Sequence, residues 1–224
     1  MVIPSWISIF AAMLLVGIQV GTPRAYENKG RPWTSAYGKA PFRGPVRVGR
    51  ENLEGDRQAD LRHHGGPDMA VLAYPEEHYA RWSHELRWDV PYGAFAENFT
   101  VAGVTEEDAC LGDVWRAGTA LLQISQPRKP CRNISRFWKR PELLRQVQQT
   151  GRYGFYLRVL EEGVVEPGQR VDLVERPNPQ WTVQRATAAR GSAALVPEEA
   201  LSLLKVAELG DDWRAHVARA LRRT

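Results

Sequence analysis

The run Gln126-Pro127-Arg128-Lys129-Pro130-Cys131-Arg132 places one cysteine in a proline-stiffened turn, with three cationic side chains within three residues of it. An ordinary thiol has a pKa near about 8.5, so only about 3% is thiolate at neutral pH. Lowering that value by about two units takes roughly 2.7 kcal/mol of preferential stabilisation of the anion. Neighbouring cations are the right kind of environment for it. A small buried apolar cysteine is the alternative that composition leaves open. The prolines and charges favour an exposed, functional thiol.

The densest polar cluster lies upstream, from Gly55 to Asp68, and collects cations, acids, the adjacent His63 and His64 and the pair Gly65-Gly66. Two glycines let backbone amides approach a ligand closely. In an extended segment Arg62 and His64, two apart, would face the same way. With Arg128 and Lys39 they would make an anion site of phosphate or pterin size.

The elements around these residues read mainly β. Ala120 to Ser125 is strand-like and follows Asp113 to Arg116 through Ala117-Gly118-Thr119, a hairpin that delivers the cysteine turn. Met13 to Gly21 reads as a buried strand, and Thr22 to Lys39 as a long surface loop. Val46 and Val48 alternate in a short strand, and Met69 to Tyr74 is apolar and of strand length. Pro75-Glu76-Glu77 opens a helix striped by Tyr79, Trp82 and Leu86. Glu97 to Ala102 reads as a strand, and Thr105 to Asp108 as a helix start. Pro141 to Gln149 is an amphipathic helix stopped by Gly151, and Phe155 to Leu160 and Arg170 to Val174 are strands. Short strands with turns between them predict a closed or nearly closed barrel with inserted helices.

After the linker Arg176 to Pro179 the chain reads helical, over Thr182 to Arg190, Pro197 to Leu209 and Asp211 to Arg223. Leu201, Leu204 and Leu209 stripe the second helix, and Trp213, Val217 and Leu221 the third. The reading is therefore an extension over 1–12, a mainly β domain with inserted helices over 13–176 and a small three-helix bundle over 180–224. So small a bundle has little core of its own and should pack on the barrel. Arg214, Arg219, Arg222 and Arg223 would form the basic face of a helix-turn-helix, but a solvated helix face is the preferred reading.

The 224 residues carry 30 basic and 26 acidic side chains, a net charge of +4. That surplus is too small to imply nucleic acid, yet suits an anionic small ligand. Two cysteines alone make neither a disulfide framework nor a thiolate zinc or iron–sulfur site, so a reducing cytoplasm is expected. Val2 to Val20 could nearly span a bilayer, but it lacks a charged leader and is diluted by Pro4, Ser5, Ser8 and Gln19. No stable membrane insertion is expected; an N-terminal anchor is the lesser alternative.

Several motifs occur in a telling order: His64-Gly65-Gly66-Pro67-Asp68, Tyr74-Pro75 through His78-Tyr79, Gly93 through Glu97-Asn98, Gly112-Asp113 and Gln126-Pro127-Arg128 with Pro130-Cys131. Together they resemble the MOSC domain, named for the C-terminal part of molybdenum cofactor sulfurase. More closely they are similar to its YiiM-type members, which confer resistance to 6-N-hydroxylaminopurine. The resemblance implies a β-barrel-like core binding the molybdopterin-type molybdenum cofactor, with Cys131 as the protein ligand to the metal. A thiolate suits that role as a soft, strongly donating ligand. Lys39, Arg62, His64, Gly65, Asn98 and Arg128 are then expected around the cofactor, and Cys131, His64 and Glu97 at the chemistry. Ala96 stands where relatives commonly have glycine. The implied activity is reduction of N-hydroxylated compounds, with His64 or Glu97 protonating the leaving oxygen. The sequence has no NAD fingerprint, flavin motif or iron–sulfur cysteine set, so an external flavin- or ferredoxin-type reductase would supply electrons. The main alternative is a non-enzymatic cofactor or sulfur carrier using Cys131.

Overall fold

A computed structural model describes residues 12–191 and 197–222. The described residues form twelve strands and seven α-helices: β1 (Met13–Val20), β2 (Arg24–Asn28), β3 (Arg31–Ser35), β4 (Ala40–Pro41), β5 (Val46–Val48), α1 (Leu61–His64), β6 (Val71–Pro75), α2 (Glu77–Leu86), β7 (Phe99–Ala102), β8 (Val114–Ala117), β9 (Ala120–Pro127), α3 (Asn133–Trp138), α4 (Leu143–Thr150), β10 (Phe155–Glu161), β11 (Gly163–Val165), β12 (Arg170–Glu175), α5 (Val183–Gly191), α6 (Pro197–Leu204) and α7 (Asp211–Leu221). Seven of the strands run in the order β12-β8-β9-β10-β6-β7-β1, and β1 pairs again with β12 to close the ring. All of these neighbours are antiparallel except β6 and β7, which run parallel across the α2 crossover.

A period-two pattern with a bulge in it explains the first barrel strand. In β1 Met13 and Leu15 are buried while Leu14 is 38% exposed, and a register shift between Leu15 and Gly17 turns Ile18 inward in its turn. Those inward side chains meet Val71, Phe99, Leu122, Phe155 and Val171 in one apolar core. The same core runs without a break through Trp181, just before α5, into Leu203, Trp213 and Val217 of the C-terminal helices. The bundle therefore packs on the barrel, as its small size demands.

A second core holds the mouth of the barrel. Tyr79, Trp82 and Leu86 of α2 are buried, as their spacing predicts, against Tyr37, Phe95, Ile134, Leu143 and Val147. Ile134 is fully buried and fixes α3 immediately after the cysteine turn. Phe137 packs between Tyr37, at 5.2 Å, and Tyr26 of β2, at 5.4 Å.

Several expectations are corrected. Thr22 to Lys39 is not simply a loop: it contains the β2–β3 hairpin, turning through Lys29 and Gly30 at positive φ. Thr105 to Asp108 starts no helix, because the Asp108 carboxylate takes the Thr105 N–H and hydroxyl in a local turn. The α3 helix has no counterpart in the sequence reading; too short for a periodic stripe, it rests on Ile134. In α6 the buried side chains are Ala200 and Leu203, whereas Leu201 is 54% exposed. The buried strand expected from Met13 to Gly21 is β1, so the lesser alternative of an anchor through Val20 does not hold over Met13–Val20. Residues 1–11 of the expected extension, and Arg223, lie outside the described residues. No helix among the described residues is long and apolar enough to cross a membrane.

Candidate functional site

The mouth of the barrel opens into a cleft holding about 730 Å³ of space, its open entrance included. Lys39, His64, Asn98, Arg128 and Cys131 all line it, so five expected site residues from distant parts of the chain do meet. Tyr37, Asp56, Arg57, Lys129 and Tyr156 are among the other polar residues of its lining, with Asp60 as a second carboxylate.

Strand β9 delivers the cysteine. It pairs with β10 through Gln126↔Tyr156 and Pro127↔Phe155 and then leaves the sheet. The Arg128 N–H still donates to the Gly154 carbonyl at 3.0 Å, which fixes where the turn begins. Arg128 is 4% exposed, its guanidinium donating to the Tyr153 carbonyl. The thiol three residues on is partly exposed. Burial pushes the Cys131 thiol up, but the hydrogen bond to His64, the charges of His64 and Arg128 and the Asn133 backbone N–H outweigh it. The net result is a thiol held below its ordinary value, the condition for a nucleophilic or metal-binding sulfur. The second cysteine behaves oppositely: burial, then the nearby Asp113 charge, push Cys110 up to about 11.

Lys39 reaches the cleft already paired. Its Nζ lies 2.5 Å from Asp56 Oδ1, and both side chains are buried, at 8% and 1% exposure. Burial pulls the lysine pKa down and the Asp56 charge opposes that pull. Asp56 also accepts from the Gly21 N–H at 2.7 Å and from Asn98 Nδ2 at 2.9 Å. Asn98 Oδ1 in turn accepts from the Leu72 N–H at 3.1 Å. Asn98 and Asp56 thus lock the cleft wall to β6 and to the end of β1, and Arg128 is left as the buried cation with no carboxylate partner among the described residues.

Three expected residues fall elsewhere. Asp60 caps α1 by accepting from the Arg62 N–H, so this segment is helical rather than extended. Two residues apart on a helix point to different sides, and Arg62 is exposed, outside the cleft lining. Gly65 ends that helix at φ −130°, where a Cβ would press on the Leu61 backbone at 3.0 Å; close chain approach explains it without a ligand. Glu97 is fully buried outside the cleft lining. It accepts from the N–H groups of Gly93 and Phe95 and the hydroxyls of Tyr79 and Thr100. Those bonds make it the clamp of the turn before β7, not an acid facing the cleft.

Tyr37, Asp56 and Tyr156 were missed as candidates. Tyr156 alternates normally along β10 and carries no local signal of its role. Asp56 sits within the polar cluster and was legible only as part of it.

The fold is thus a closed ring of seven strands with a cysteine turn at its mouth. A MOSC domain model matches residues 60–172, and the chain belongs to the MOSC domain family. It is 42% identical over 201 residues to YflK, an uncharacterised protein of Bacillus subtilis, covering 90% of this chain and 91% of that one. The crystal structure of YiiM from Geobacillus stearothermophilus is similar at a TM-score of 0.79 and 35% identity, covering 93% of this chain and 99% of that one. A Gibberella moniliformis protein named "Reductase" is 37% identical over 166 residues; the match spans 70% of this chain but 29% of that protein.

Proposed function

We propose that this protein is an oxidoreductase that reduces N-hydroxylated compounds, such as 6-N-hydroxylaminopurine, with a molybdopterin-type cofactor held in the cleft. The observation that carries this reading is the Cys131 thiol, held below its ordinary value and lining an open cleft together with the buried Arg128. The donor set fits the cofactor. Among the described residues no three His, Cys, Asp or Glu side chains converge as a metal cage, so a single thiol suits a metal that arrives with its own organic ligand. Arg128, with Arg57 and Lys129 on the rim, is suited to the anionic phosphate of such a group.

When bound, the cofactor would supply the two electrons that convert N–OH to N–H with release of water. Cys131 would hold the metal as a thiolate. His64, hydrogen-bonded to that sulfur and lining the cleft, is placed to carry a proton to the departing oxygen. Glu97 has no such place, and the general-acid role falls to His64. Electrons come from a separate flavin- or ferredoxin-type reductase, and a reducing cytoplasm is the expected setting.

The test is purification from a host that makes the cofactor, followed by molybdenum analysis and turnover of 6-N-hydroxylaminopurine with reduced flavodoxin as donor. The reading requires about one metal per chain in the wild type and loss of both metal and turnover in Cys131→Ala. Stable cofactor binding and release without turnover would make the protein a carrier instead.

A further inference from the structure

Outside the cleft lining, next to the start of the cysteine turn, the chain buries a titratable pair that the chemistry above leaves unused. His78 of α2 and Glu106, each with its side chain 6% exposed, meet at 2.7 Å between Nε2 and Oε2. The other carboxylate oxygen, Oε1, accepts from the Gly154 N–H, also at 2.7 Å. His78 Nδ1 is buried without a hydrogen-bond partner among the described residues. An unpaired N–H is the rarer and costlier kind of buried orphan. The proton therefore sits on Nε2, His78 donates, and both oxygens of Glu106 accept, as those of an ionised carboxylate do. Glu106 is then a buried anion to which no lysine or arginine is paired among the described residues.

Arg128 is its complement, a buried cation without a carboxylate, and one peptide group joins the two. The N–H that Glu106 accepts and the Tyr153 carbonyl that takes the Arg128 guanidinium at 3.5 Å belong to the same peptide unit. In a trans peptide these groups point in opposite directions, along a dipole of about 3.5 D. Its positive end faces the carboxylate and its negative end the guanidinium, the orientation that both charges favour. Gly154 holds this peptide in place at φ +73°, where a Cβ would fall 2.5 Å from the Ala73 carbonyl oxygen. The Gly154 carbonyl also accepts the Arg128 N–H at 3.0 Å, so Tyr153 and Gly154 grip Arg128 by side chain and by backbone. Both charges reach Tyr74: burial first, then the Glu106 charge, push its hydroxyl well above the ordinary tyrosine range, and the Arg128 charge opposes them.

We propose that Glu106, aligned by His78, is the counter-ion and positioning residue of Arg128, acting on it through the Tyr153–Gly154 peptide. A carboxylate bonded directly to the guanidinium would balance the charge but occupy the donors that an anionic ligand needs. Placed behind a peptide, Glu106 steadies a buried cation and leaves the remaining donors to the cleft that Arg128 lines. Lys39 shows the opposite arrangement, its ammonium paired directly with Asp56. The inference rests on the functional reading above only in taking Arg128 as the cation for the cofactor's phosphate.

The test is a double-mutant cycle in the full-length, cofactor-free protein. Glu106→Gln removes the charge but keeps an oxygen for the Gly154 N–H, and Arg128→Met removes the cation at similar volume. Glu106→Gln should raise the unfolding equilibrium constant in urea, and by about fivefold less in the Arg128→Met background. Should Glu106→Gln not fold alone, Arg128→Met must restore its folding. A second readout separates a counter-ion from a structural clamp. Inorganic phosphate, followed by titration calorimetry, should bind Glu106→Gln about two- to threefold more tightly than the wild type, because an opposing anion is gone. Glu106→Ala, which frees the peptide, should bind it more weakly than the wild type. Equal costs of Glu106→Gln in the two backgrounds, a double variant that does not fold, or wild-type phosphate binding that Glu106→Gln fails to tighten each overturn the counter-ion. A coupled cycle with no phosphate binding by any form supports the counter-ion and overturns the phosphate reading of Arg128 instead.

Discussion

At the scale of single residues, the two cysteines carry opposite chemistry. Cys131 is held down by His64 and Arg128, and Cys110 is pushed up to about 11. Iodoacetamide at neutral pH should therefore label Cys131 well ahead of Cys110, as read by peptide mass spectrometry. Removing the imidazole in His64→Ala removes a hydrogen bond and a positive charge from the thiolate, so the thiol pKa must rise. The labelling curve should shift to higher pH, and the rate at pH 7 should fall several-fold. Equal curves for the wild type and the variant would place the anion's stabilisation elsewhere. This chemistry was legible because Arg128 and Cys131 share one turn. The partnership with His64, from α1, is a property of the folded chain alone.

Among the elements, the turn from Gly93 to Asn98 is the most constrained. Ala96 sits at φ +61°, the left-handed region where a side chain costs roughly 1–2 kcal/mol. Ala96→Gly should raise stability by about 0.5–1 kcal/mol, the relief being partly offset by glycine's greater unfolded-state entropy. A higher urea midpoint with an unchanged slope is the result that checks it. In the same turn Glu97→Gln puts an amide N–H against donors and should cost about 1–3 kcal/mol. Activity per folded molecule should survive; its loss would return Glu97 to the chemistry. The sequence motif correctly singled out this turn and misassigned its work, because a clamp and a catalytic acid leave the same Glu-Asn mark. The Arg62 error has a similar origin: Asp60 is a good N-cap, and one helical turn was enough to rotate Arg62 away.

For the whole molecule, the barrel and its terminal helices share one core, and Asp68 ties them together at the surface, accepting from the Asp211 N–H at 2.9 Å and pairing with Arg158 at 2.8 Å. Asp68→Ala should cost about 1–2 kcal/mol and expose the chain beyond Pro179 to trypsin before the barrel, as limited proteolysis would show. The strand pattern made a mainly β barrel with a helical C-terminus legible from the sequence. The parallel β6–β7 pair was not, since alternation gives a strand's faces but not its direction. Nor was the use of Arg214: as an expected member of a basic face it instead folds back, its guanidinium donating to the Leu204 and Val206 carbonyls at 2.5 and 2.7 Å.

The ring closes where Met13 and Leu14 lie against Val171 and Arg170. An early strand therefore waits, during synthesis, for one made more than a hundred and fifty residues later. Until β12 leaves the ribosome, β1 has a bare edge able to pair with any passing strand. Trigger-factor-like chaperones should hold the nascent chain through that interval, and slowing translation late in the message should raise aggregation more than slowing it early.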